Sequence, residues 1–186
     1  LADNTTGTGN IASGVLALYK NISGTYNVAN GYAALLNNTS GIYNIASGYS
    51  ALYSNTAGNY NTASGYEALK GNTTGDYNIA SGYEAMGGAT NTGNYNVASG
   101  YKALYSNTTG TFNAALGASA LRDNTTGSYN TAVGVNTLLK TTTGSGNTAL
   151  GYDSLDQNTT GSYNTGFGMH SLGAATTAVN NTALGY

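Results

Sequence analysis

The sequence predicts an all-β fold, a parallel β-solenoid or β-roll of about eleven coils of 17 residues each. The first observation is a period. One asparagine recurs at Asn10, Asn27, Asn44, Asn61, Asn78, Asn96, Asn113, Asn130, Asn147, Asn164 and Asn181, in steps of 17 with a single step of 18. The second is a glycine four residues after each of them, from Gly14 to Gly185. A helix-pair repeat needs about 33 residues, and each interior glycine costs a helix about 1 kcal/mol. The third is charge. Asp3 precedes Lys20, Glu84 precedes Lys102, Asp123 precedes Lys140 and Asp153 precedes His170, each at the same place in the next copy. A vertical stack favours opposite signs one repeat apart, although each surface pair contributes only about 0–1 kcal/mol.

Let the recurrent asparagine be position 0. Positions 16 to 3 read as one strand, as in Tyr60-Asn61-Thr62-Ala63-Ser64, and the glycine at position 4 turns the corner. Positions 5 to 8 read as a second short strand, as in Tyr66-Glu67-Ala68-Leu69. Asn-Thr-Thr-Gly then closes the coil, with turn-forming Asn and a glycine able to take φ > 0. One coil buries almost nothing. Coils stacked about 4.8 Å apart through a parallel ladder would make a rod on the order of 50 Å long.

The predicted interior is a column at position 8, beside alanine columns at positions 2 and 7. The column residues are Leu18, Leu35, Leu52, Leu69, Met86, Leu104, Leu121, Leu138, Leu155 and Leu172. Such a core is thin, which favours association. The position 0 asparagines read as an amide ladder, each side chain bonded to the next rung. Tyrosines at positions 16 and 5 read as stacked rings, with a sugar- or surface-binding aromatic strip as the functional alternative.

Positions 1 and 3 exchange volume along the chain. Ile11/Ser13, Ile45/Ser47 and Ile79/Ser81 give way to Ala114/Leu116, Thr148/Leu150 and Thr165/Phe167. This reads as one shared buried apolar site per rung. The extra residue lies in the loop 87–93, where a stack tolerates length. The chain reads as a single repeat domain, 1–186. Leu1 and Tyr186 fall mid-coil, as expected of an excerpt or mature segment of a longer fibre.

Only 6% of residues are charged, the net charge is -2, and Cys and Pro are absent. The basic footprint of a nucleic-acid binder is missing. No apolar run approaches the roughly 18 residues of a membrane span. Disulfides and thiolate metal sites are excluded. His170 is the only histidine. With Asp153 and a serine it would make a catalytic triad, but its place on an outer ladder reads as a solvated pair. Glu67 and Glu84 could be paired carboxylates, and read instead as occupants of a variable position. No catalytic, cofactor-binding or metal-binding residue is expected, and no enzyme. Asn-x-Ser/Thr sequons at Asn4, Asn21, Asn38, Asn72, Asn107, Asn124 and Asn158 could form a glycan-bearing edge in a secreted protein. The favoured reading of these sites is turn chemistry.

At Asn147-Thr148-Ala149-Leu150-Gly151-Tyr152 and Asn130-Thr131-Ala132-Val133-Gly134 the pattern resembles the head repeats of trimeric autotransporter adhesins. It is also similar to repeats in the shafts of phage-type tail fibres. The resemblance implies a left-handed parallel β-roll, three chains side by side, and a role in reaching and holding a surface. The expected function is a non-enzymatic extracellular structural and adhesive fibre segment on a cell surface or virion appendage. Its partners would be itself, as a homotrimer, and a host-surface glycan or protein. Two further classes are a self-assembling filament of single rods stacked end to end, and an ice- or surface-binding threonine array. The threonines for the array stand at positions 12 and 13, and at position 1 from Thr131 onward.

Overall fold

A computed structural model describes residues 1–186. It is a parallel β-solenoid with one 11-stranded sheet, ordered β1 to β11 in chain order. Each strand is three residues long: β1 is Ile11–Ser13, β4 Thr62–Ser64, β6 Val97–Ser99, β7 Ala114–Leu116 and β11 Thr182–Leu184. Every pairing joins equivalent positions, as Ile45↔Thr62 and Ala46↔Ala63 do between β3 (Ile45–Ser47) and β4. The 18-residue step is absorbed without a register slip, since Ile79 in β5 (Ile79–Ser81) pairs with Val97 in β6. The backbone ladder continues through the turns: Gly65 N–H donates to Ser47 O at 2.9 Å and Leu69 N–H to Ala85 O at 2.9 Å.

The expected interior is present. The position 8 column is buried from Leu18 to Leu155, and the position 2 and 7 alanines join it in one continuous core. The second predicted strand is not present, and the first is shorter than predicted. Positions 5 to 8 are a run of turns, with left-handed backbone at Glu67 (φ 53) and Leu69 (φ 50) and at their equivalents in the other coils. The reason lies in the core. Ala68 and Leu69 are adjacent and both fully buried. A strand sends neighbouring side chains to opposite faces, so only a bent backbone can bury both.

The closing glycines also differ from expectation. Those at position 14, such as Gly58 and Gly75, do not have positive φ. They are required by close approach: a methyl at Gly58 would lie 2.5 Å from both the Gly75 carbonyl oxygen and Asn55 Oδ1.

Two amide ladders run inside the rod. At position 0, Asn61 N–H and Nδ2 donate to Asn44 Oδ1 at 3.0 and 3.2 Å, and Asn61 Oδ1 accepts from Asn78 N–H at 2.9 Å. At position 11, Asn72 Nδ2 donates to Asn55 Oδ1 at 2.8 Å, and Asn91 Nδ2 donates to Asn72 Oδ1 at 2.8 Å. The Gly75 carbonyl accepts from both Asn61 and Asn72, which braces the coil across its interior. The position 11 ladder explains the irregular step. Asn91 follows Asn72 by 19 residues and precedes Asn107 by 16, both bonded to it through side-chain amides. The extra length is therefore two residues before Asn91 and one fewer after it, which keeps its amide in file.

Thr141 interrupts this second ladder. Asn124 Oδ1, Thr141 Oγ1 and Asn158 Oδ1 are buried without partners. Thr141→Asn is expected to give Asn124 Oδ1 a donor and Asn158 Nδ2 an acceptor, raising stability by about 1–3 kcal/mol. Urea unfolding of the two proteins side by side measures the gain.

Candidate functional site: the outer face of the sheet

The sequons do not form an edge. Asn21, Asn38, Asn72, Asn107, Asn124 and Asn158 are buried, and Asn4 is half-buried in the same file. Their Nδ2 atoms, the ones a glycan would occupy, donate inside the coil, as Asn38 does to Asn21 Oδ1 at 2.8 Å and to Gly41 O at 3.1 Å. A folded coil has no room for a sugar there. The reading as possible glycan sites is corrected to that of core amides.

Positions 1 and 3 do not make a buried site within the rod either. Only the middle residue of each strand points inward, and the outer two face away from the core. Ile45 and Ile79 are each 47% exposed and Leu150 is 44% exposed. Strand alternation requires this outcome: with position 2 inside, positions 1 and 3 must both be outside.

Tyrosines stand at both ends of these strands. Position 16 forms one stack, Tyr26 through Tyr95 to Phe112 and Tyr129, with centroids 4.9–5.1 Å apart. Position 5 forms a second stack, Tyr32 to Tyr101, spaced 5.0–5.5 Å. The rings are nearly parallel and stack face to face along the rod. Each ring face is therefore covered by its neighbour, and edges and hydroxyls are what solvent meets. Stacking of a sugar on these faces is closed off within each column.

The charges lie elsewhere, at positions 6, 9, 10 and 15. Lys102 Nζ meets Glu84 Oε2 at 3.3 Å, as registry predicts. His170 Nδ1 lies 3.8 Å from Asp153 Oδ2, with its ring edge-on to Tyr152 and Tyr186. The flanking serines point inward: Ser154 Oγ donates to Gly166 O at 3.2 Å and Ser171 Oγ to Ala183 O at 3.2 Å. No serine hydroxyl is brought to His170. Glu67 pairs with Lys70 within its own coil at 3.0 Å, so the two glutamates do not share a site. Asp123 takes Arg122 at 2.7 Å rather than Lys140, whose ammonium donates to Gln157. Adjacent partners displace the predicted vertical pair there.

Several protons are held more tightly in the fold. Glu67 raises the Tyr66 phenol and the Lys70 ammonium, and Glu84 raises Tyr83 and Lys102. A raised group binds its proton more in the folded than in the unfolded state. Its stabilisation is present below the ordinary values of 10.0 and 10.5 and is lost as pH rises through the folded values. The denaturant midpoint is expected to hold through neutral pH and to fall above about pH 10.

Threonine hydroxyls at position 12 are already committed. Thr39 donates to Thr56 O and Thr108 to Thr125 O, each at 2.9 Å. The position 13 column is broken by Ser23, Ser40 and Ala57. Only Thr131, Thr148, Thr165 and Thr182 at position 1 face outward as an unbroken file.

Sequence reasoning missed the position 11 ladder described above and two further features. One is the ladder at position 15, where Asn59 Oδ1 accepts Ile42 N–H and Asp76 Oδ1 accepts Asn59 N–H. The other is a change inside the rod. Position 7 turns from alanine to Thr137, Ser154 and Ser171, and a methyl at Gly166 would lie 2.8 Å from Ser154 Oγ, although Ala183 stands in the same relation to Ser171. That single glycine in an alanine column was the available signal.

No family model, no curated protein and no solved structure matches this chain.

Proposed function

We propose that this protein is a non-catalytic, extracellular structural segment of a fibre, which holds its shape by ladders and associates with copies of itself through its sheet face. The observation that carries the reading is the combination of an unbroken eleven-strand ladder with an outer face that holds apolar residues and no charge. Exposed apolar area of that extent marks an interaction surface. The resemblance to adhesin heads and tail-fibre shafts supports a place on a cell surface or virion appendage, with attachment to a host surface as its use. Immunogold labelling of intact source cells or particles tests this. Label along surface fibres is the expected result, and label confined to the interior overturns it.

A further inference from the structure

We propose that the sheet face docks a second copy of this chain, antiparallel, about a two-fold axis that lies along the strands between β6 and β7. The inference rests on the self-association proposed above and gives it a geometry.

The face has the size a stable pair needs. The ten rungs that this axis pairs, by about six residues of strand and flank, span on the order of 1,000 Å², against about 800 Å² per partner in a standard interface. Positions 16, 1, 3 and 5 include no charged residue in any coil, so no charge is stranded on docking.

The orientation follows from where the large side chains stand. Up to β6 the bulk is at position 1, as in Ile79 and Val97, with Thr62 of β4 the exception, and position 3 is serine except at Asn30. From β7 it is at position 3, as in Leu116 and Leu150. A two-fold between β6 and β7 sets each position against its own column in the other half of the partner. Ile45 then meets Thr165, Ser47 meets Phe167 and Ser81 meets Val133: large against small in both columns. The position 5 column does the same beside the axis, where Tyr101 meets Ala118 and Tyr83 meets Val135; farther out Tyr49 meets Met169, while Tyr66 meets Tyr152.

Other symmetries make no use of the change of side. A three-fold axis along the rod could be lined by position 5, which is apolar or aromatic from Val15 to Tyr186, but it would leave the change of side between positions 1 and 3 unmatched. A parallel pair would set the rings of position 16 against those of position 5 throughout β2 (Val28–Asn30) to β6, bulk on bulk along both margins. The antiparallel pair sets ring against ring at fewer rungs: Tyr43 against Tyr163, Tyr77 against Tyr129 and Tyr95 against Phe112 at position 16, and Tyr32 against Tyr186 and Tyr66 against Tyr152 at position 5.

The test uses the full chain, which has no native cysteine. Sedimentation equilibrium is expected to give twice the chain mass of 18.7 kDa. Ser47→Cys and Phe167→Cys, each outward-facing, are treated singly and mixed with a bismaleimide about 10 Å long, which matches the spacing of packed sheets. Cross-linked product is expected only in the mixture, because two Ser47 sites in the pair lie roughly seven rungs, about 34 Å, apart. Ile79→Lys should keep the β spectrum and halve the mass. A trimeric or single-chain mass, or product from Ser47→Cys alone, overturns the proposal. A single-chain mass with an intact spectrum leaves the fibre reading standing, and that reading fails separately in the labelling experiment.

Discussion

Gly65→Ala is expected to destabilise the rod by about 3–5 kcal/mol, although it adds one methyl to a corner near solvent. Two effects combine. Gly65 has φ +134, a backbone state that side-chain-bearing residues scarcely enter. Its added Cβ would also lie 2.8 Å from the Gly82 carbonyl carbon and nearer still to its oxygen, in a backbone that cannot swing aside. Gly185→Ala separates the two. It has φ +112 and nothing within 4 Å, so it carries the strain without the collision. Guanidinium unfolding should show the Gly65 variant well below wild type and the Gly185 variant only slightly below. Equal losses would mean that conformation alone sets the requirement at this corner.

Asn61→Ala is expected to cost a similar amount, roughly 3–5 kcal/mol, for a different reason. The side chain fills little volume, but it satisfies three neighbours. Its removal leaves Asn78 N–H without an acceptor and takes one donor each from Asn44 Oδ1 and Gly75 O. Asn61→Asp sharpens the test. The carboxylate keeps the acceptor for Asn78 N–H but sets a charged, acceptor-only oxygen against two other acceptors, Asn44 Oδ1 and Gly75 O, in the buried interior. Burial raises that carboxyl above its ordinary value of about 3.9. The folded state then holds the proton more tightly, so the variant is least impaired below about pH 4 and loses stability as pH rises through the folded value. Denaturation midpoints at pH 3.5 and 7 should therefore diverge in the variant more than in the parent.

What could be read ahead of the structure was whatever the period alone determines. Leu52, Leu69 and Met86 fall in file because equal positions stack, and so do Asn44, Asn61 and Asn78. The tyrosine stacks follow from the same logic. What could not be read was direction, meaning which side of the backbone each position faces. Positions 1 and 3 were correctly placed on one face, but the period is silent on whether that face is inner or outer. The adjacent Ala68-Leu69 pair held the clue, since two neighbouring core residues in every coil deny a flat strand. The sequons allowed two readings because Asn-Thr-Thr is both an acceptor motif and an amide followed by turn residues, and the favoured reading, turn chemistry, did not reveal the ladder. Asn55 and Asn91 carry the same buried amide without a sequon, and they show that the asparagine serves the ladder.

The bonds that join one coil to the next all lie along the rod axis, both in the backbone and in the asparagine files. Tension applied to the two ends would load these bonds in series, so a coil should peel from one end before its neighbours are disturbed. Optical tweezers should then record a sawtooth of even teeth, each releasing one coil, roughly 50–60 Å of slack. Such a tether lengthens stepwise under sudden load and still holds on.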